Sequence, residues 1–106
     1  MIIDLIANTL ASLGVPVSWQ KYSGTATTYI TFLVYNKQGE AWAENVEIAT
    51  GYYLQVDIWS KGDYSSIEAQ VEVAMIAAGF IRTTAQDLYE SDTQIYHKAM
   101  RFSYVI

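Results

Sequence analysis

The 106-residue sequence contains no cysteine, one proline and one histidine. Without cysteine there is no disulfide framework and no thiolate chemistry, and the redox compartment is left open, with the cytosol as the plainest reading. No apolar stretch approaches the ~20 residues needed to span a bilayer. The opening Met1-Ile2-Ile3-Asp4-Leu5-Ile6 has no basic leader and carries Asp4 inside its apolar run, so neither export nor membrane insertion is signalled. Basic residues are also scarce. Six of them against eleven acidic ones leave a net charge of −5, which disfavours adhesion to phosphate backbones. Glycine-rich phosphate cradles, a Gly-x-Ser-x-Gly elbow and His-Glu zinc motifs are missing as well.

The remaining polar groups do not compose a catalytic centre. His97 has no carboxylate or nucleophile in its local sequence and reads as a surface or interface residue. Asp57 and Asp63 flank a turn, and Asp87, Glu90 and Asp92 cluster in another. Neither spacing matches a calcium loop, so Asp63 reads as a helix cap and the cluster as a solvated turn. No catalytic, cofactor-binding or metal-binding residue is assigned, and the chain is not expected to be an enzyme.

What the sequence does contain is apolar and aromatic surface. Hydrophobic residues make up 52% and charged residues only 16%, more apolar surface than one domain of this length readily hides, so self-association is expected. The chain is long enough for one domain and too short for two. The richest segment is Tyr52 to Tyr64. Tyr52, Leu54, Val56 and Ile58 alternate with Tyr53, Gln55, Asp57 and Trp59, the period of two of a strand with one solid apolar face and one aromatic, polar face suited to a protein partner.

Ile2, Ile3, Ile6, Leu10 and Leu13 recur at helical spacing until Gly14-Val15-Pro16, which predicts a first helix over residues 2–13. Tyr29 to Tyr35, dense in β-branched and aromatic residues, predicts a strand. Residues 36–50 read as a long hairpin connection, with Trp42 stranded among Glu40, Glu44 and Glu47 and expected to be mobile until an assembly buries it. A second helix starts from Asp63 or Ser65, with Ser65-Ser66-Ile67-Glu68 in capping-box spacing, and stops at Gly79. Its residues Ile67, Val71, Ala74, Met75 and Ala78 form one apolar stripe, and Ala69, Val73 and Ile76 form another on nearly the opposite side. Short and long strands follow at 80–84 and 94–106. Residues 1–106 thus predict one α+β domain of order α-β-β-α-β-β: a mainly antiparallel four-stranded sheet with two helices on one face. Trp42, Tyr53, Trp59, Ala69, Val73 and Ile76 are the candidate subunit-interface residues.

This order of elements, with the words Glu47-Ile48-Ala49-Thr50-Gly51-Tyr52-Tyr53, Val56-Asp57-Ile58-Trp59-Ser60-Lys61-Gly62-Asp63-Tyr64 and Ile95-Tyr96-His97-Lys98-Ala99-Met100-Arg101-Phe102, resembles the tail terminator, or tail-completion, proteins of tailed phages and prophages. The likeness runs from about Tyr29 to the end, plus the leading helix. It implies a structural protein that forms a ring, commonly a hexamer, at the head-proximal end of the tail, ends growth of the tail tube and joins the tail to the head connector. Its implied partners are further copies of itself, the tail-tube protein and the head connector or head-completion protein, with no cofactor and no membrane. It implies a place in the virion tail, after assembly in the bacterial host cytoplasm. DNA would pass through such a ring without specific binding, and Glu40, Glu44 and Glu47 are the candidates to line the channel. A head-completion protein of the head–tail connector, or a small non-viral binding or immunity module, are the alternatives.

Overall fold

The computed structural model describes residues 2–91 and 94–106. Helix α1 (Ile2–Leu10) buries Ile2, Ile6 and Leu10, one residue per turn, and ends in a 3-10 turn (Ala11–Leu13). Gly14 stops it at φ 80°, a left-handed conformation that a side chain resists. Strands β1 (Val17–Trp19), β2 (Thr28–Ala43) and β3 (Val46–Ser60) follow, then helix α2 (Ser65–Ala77) and the hairpin of β4 (Ile81–Glu90) and β5 (Ile95–Val105).

The five strands lie in the order β1-β2-β3-β5-β4, antiparallel except for β1 beside β2. The expected four-stranded sheet is therefore corrected to five. β1 is only three residues long, too short for any periodicity to show, and it exists because β2 recruits it: Ile30 N–H donates to the Pro16 carbonyl and Gln20 N–H to that of Phe32. Both helices cover one face. Ile30 and Phe32 of β2, Leu54, Val56 and Ile58 of β3, and Met100 and Phe102 of β5 meet Ile6 and Leu10 of α1 and Val71 and Met75 of α2 in a single core.

Residues 36–50, expected to be a loop, are mostly strand. β2 and β3 run on past the body of the sheet as a two-stranded arm, joined by Glu44 and Asn45 at φ 52° and 66°. Positive φ at both central residues is what a tight hairpin turn requires, and the pair Glu-Asn hides it because the usual signature is Asn-Gly. The arm beyond Tyr35 spans about 25 Å at the rise of an antiparallel strand. Gly39 lies inside it, where an added Cβ would run into the indole of Trp42 and the carboxylate of Glu47.

The last hairpin differs too. β4 reaches Glu90 rather than stopping at Thr84, because its exposed residues alternate too weakly to reveal a strand. Asp87 and Glu90 thus belong to β4 instead of a solvated turn, and Asp92 lies outside the described residues.

Candidate assembly surfaces

The sheet face opposite the helices carries no covering element, yet it is not a bare polar surface. Tyr22 stacks on Tyr29 with ring centroids 4.2 Å apart, Tyr29 stands 6.2 Å from Trp59, and Trp59 stacks on His97 at 3.8 Å. Cross-strand pairing places this row: Tyr29 is opposite Trp59, and Trp59 opposite His97. Trp59 Nε1 donates to Thr31 Oγ1 at 3.0 Å. His97 Nε2 lies 2.6 Å from Asp57 Oδ1, and because a carboxylate only accepts, that nitrogen carries the proton. Gln55 Nε2 donates to the same oxygen at 2.8 Å, and Arg101 Nε donates to Gln55 Oε1 at 3.1 Å while its guanidinium lies over the Tyr35 ring.

His97 is therefore not a surface residue of the subunit: it is 9% exposed, and its carboxylate partner, 5% exposed, comes from a strand forty residues away in sequence. Asp57 sits in mid-strand and does not flank a turn with Asp63. Sequence reasoning missed the pair because only the β3–β5 register brings the two residues together; the one available signal was that Asp57 lies on the Tyr53–Trp59 side of its strand.

Helix α2 is fastened to the last hairpin by charge. Lys98 Nζ stands 3.2 Å from both Glu68 Oε1 and Asp87 Oδ1, the Tyr64 hydroxyl donates to Asp87 Oδ1 at 2.5 Å, and Arg82 meets Glu72 at 2.6 Å. The capping box does not form. Asp63 Oδ1 accepts the Ser65 amide instead, one residue before the Tyr64 N-cap, and Glu68 goes to Lys98. At the far end Gly79, at φ 101°, lets Phe80 N–H reach the Met75 carbonyl.

This clamp sets two pH limits. Asp87 is held below the usual carboxylate value of 3.8 by the Tyr64 hydroxyl and then by Lys98, and Asp63 is lowered by the Ser65 amide. Burial, followed by the bond to Asp87, pushes Tyr64 from 10.0 up to about 12. A lowered carboxylate stabilises the fold above its unfolded pKa and loses that contribution as pH falls through the folded value. A raised phenol stabilises below its unfolded pKa and loses the contribution as pH rises through the folded one. The Tm is therefore expected to drop below pH 3.8 and again between 10.0 and about 12. Tyr64→Phe should blunt the alkaline drop in thermal melts, and an unchanged alkaline limb would show that the hydroxyl contributes nothing.

With α2 held this way, its two stripes part. Val71 and Met75 are buried and Ile67, Ala74 and Ala78 half-buried, while Ala69 is exposed, Val73 is 69% exposed and Ile76 53%. Trp42 is 61% exposed on the arm, beside exposed Val46 and Ile48. Tyr53 and Trp59 are half-buried on the open sheet face, where the Tyr53 hydroxyl donates to Glu40. The six candidate interface residues thus fall in three places: arm, open sheet face and outer side of α2. Glu40, Glu44 and Glu47 are all exposed on the arm but do not form one cluster: Glu40 is on the open face with Tyr53, Glu44 is in the turn, and Glu47 accepts from Thr50 Oγ1 on the other face.

Among the described residues no group of three or more His, Cys, Asp or Glu is placed to hold a metal ion, and no helix is long and apolar enough to cross a membrane. No curated protein matches the chain. The family model described as tail completion protein gp17 matches residues 7–106, which takes in the end of α1, α2, the whole sheet and the arm. The chain accordingly belongs to the tail completion protein gp17 family, whose members take part in assembly of the phage tail.

Proposed function

We propose that this tail protein closes into a ring, a hexamer by the family resemblance, at the head-proximal end of the phage tail, where it ends tube growth and joins the tail to the head connector. The observation that carries the reading is the outer side of α2. A helix locked to its own sheet by Lys98 still turns Ala69, Val73, Ile76 and Ala77 to solvent, an apolar stripe that a lone subunit leaves uncovered. The arm, with Trp42, Val46 and Ile48 exposed, is a second and different patch. The opposite sheet face, with its uncovered row of Tyr29, Trp59 and His97, is unlike this side, and two unlike faces on one subunit support head-to-tail contacts, which form closed rings when the rotation closes. The role is structural rather than catalytic, and the acidic balance suits passage of DNA without sticking. Tail-tube and head-connector proteins would meet the two rims of the ring.

Native mass spectrometry and negative-stain imaging of the purified chain, alone and with tail-tube protein, test the proposal. A closed ring is expected with the tube protein at the least. A monomer or dimer under both conditions would remove the ring and favour a free binding module.

A further inference from the structure

The open sheet face carries a depression of about 650 Å³ between β3, β5 and β4, lined by Gln55, Thr84, Gln86, Leu88, Ala99 and Arg101. Register places these six side chains on the face away from the helices, opposite one another in the pairs Gln55–Arg101, Thr84–Arg101, Gln86–Ala99 and, next along, Leu88–His97. The short Ala99 leaves the space open, and Leu88, 41% exposed, gives it an apolar wall. Arg101 gives it charge. Its guanidinium touches the amide oxygen of Gln55 and the face of Tyr35, neither of which neutralises it. Asp57, opposite Ala99, is already covered by His97 and Gln55.

The arm is the complement. Gly39 pairs with Thr50, two residues before the helix-side Tyr52, so the Trp42 indole and the Glu47 carboxylate that lie against Gly39 are on the helix side of the molecule. An apolar indole with a carboxylate beside it matches a groove with an apolar wall and a guanidinium that forms no ion pair among the described residues. Its own arm cannot fill that groove. Trp42 pairs with Glu47 and the groove begins at Gln55, about 27 Å away at the strand rise, and the two are on opposite faces of the sheet.

We propose that the subunits pack front to back, the helix side of each copy against the open sheet face of the next, with Trp42 seated in the neighbour's groove and Glu47 against its Arg101. This rests on the ring assembly and specifies its contact. The outer stripe of α2 and the Trp42 side of the arm then look toward the same neighbour. Glu47 faces a subunit contact rather than the channel expected for Glu40, Glu44 and Glu47.

The absence of cysteine makes the test clean. Two variants, Glu47→Cys on the Trp42 side of the arm and Thr84→Cys in the groove opposite Arg101, are mixed, assembled and oxidised, and ring formation is followed in parallel by native mass spectrometry. Docking brings the two sites to disulfide range and raises their effective concentration, so the mixed disulfide should exceed that of a urea-unfolded mixture by at least about tenfold. In a second arm, Glu47→Arg and Arg101→Glu should each weaken the ring and together restore it. A ring that forms without the mixed disulfide and without charge-swap rescue overturns the docking and leaves the ring standing. A homodisulfide of the Glu47→Cys variant in that ring shows arms converging on one another, which also overturns it. Absence of any ring removes the assembly and the docking together.

Discussion

Val71→Glu is expected to unfold the subunit, whereas Val73→Glu, two residues along the same helix, is expected to leave its melting curve nearly unchanged. Val71 is fully buried among Leu10, Met75 and the apolar face of the sheet. A carboxylate placed there without a partner costs several kcal/mol, against a total stability of about 5–15 kcal/mol for a domain. Val73 is 69% exposed, and a surface exchange stays within about 0.5 kcal/mol. The second variant should instead fail in assembly, because the same substitution recurs at every contact of a symmetric ring. Circular dichroism melts report the first property and sedimentation the second. Equal loss of folding in both variants would mean that α2 needs both its sides within one subunit. The ring contacts would then have to come from the arm and the sheet alone.

Removing the Asp57 carboxylate is expected to be the most costly change on the open sheet face. Asp57→Ala strands the His97 Nε2–H in a place where water scarcely reaches, and it also removes the acceptor of the half-buried Gln55 amide. Unsatisfied buried donors cost about 1–3 kcal/mol, and a loss near 2 kcal/mol lowers the Tm of a domain this size by roughly 10 °C. Asp57→Asn keeps an acceptor oxygen in the same position and should lose less than half as much. Thermal melts of the two variants at neutral pH decide the matter. If they fall together, the hydrogen bonds are incidental and the stack of Trp59 on His97 is what holds this face.

The difference between what the sequence showed and what it hid follows the range of the interactions involved. Both helices were legible because their apolar residues repeat every turn and because Gly14 and Gly79 end them with positive φ. The separation of the α2 stripes was legible for the same reason. β3 and β5 announced themselves by strict alternation. The elements that escaped are held by partners far away in the chain: β1 by β2, the far half of β4 by β5, and Asp57 by His97. In the arm, no alternation of buried and exposed residues marks the strands, since nearly every side chain there faces water, and Glu44-Asn45 is an unfamiliar spelling of a tight turn. Within the family, the tail-completion identity rested on sequence words rather than on any catalytic signature. The open sheet face and the arm depend on register between strands, which no local pattern carries.

The core residues of β2 and β3 stop at Phe32 and begin again at Leu54, so the same two strands are divided along their length. Below that level every second side chain is committed to the interior, and a change is felt throughout the domain. Above it, bulges between Val34 and Asn36 and again around Ala41 re-aim the ribbon, and no buried hydrophobic side chain depends on its course. Substitution, or even lengthening, of residues 36–50 therefore leaves the folding information intact. A tail protein built this way can be refitted to a new neighbour by rewriting one ribbon, while the part of the chain that finds its own shape stays as it is.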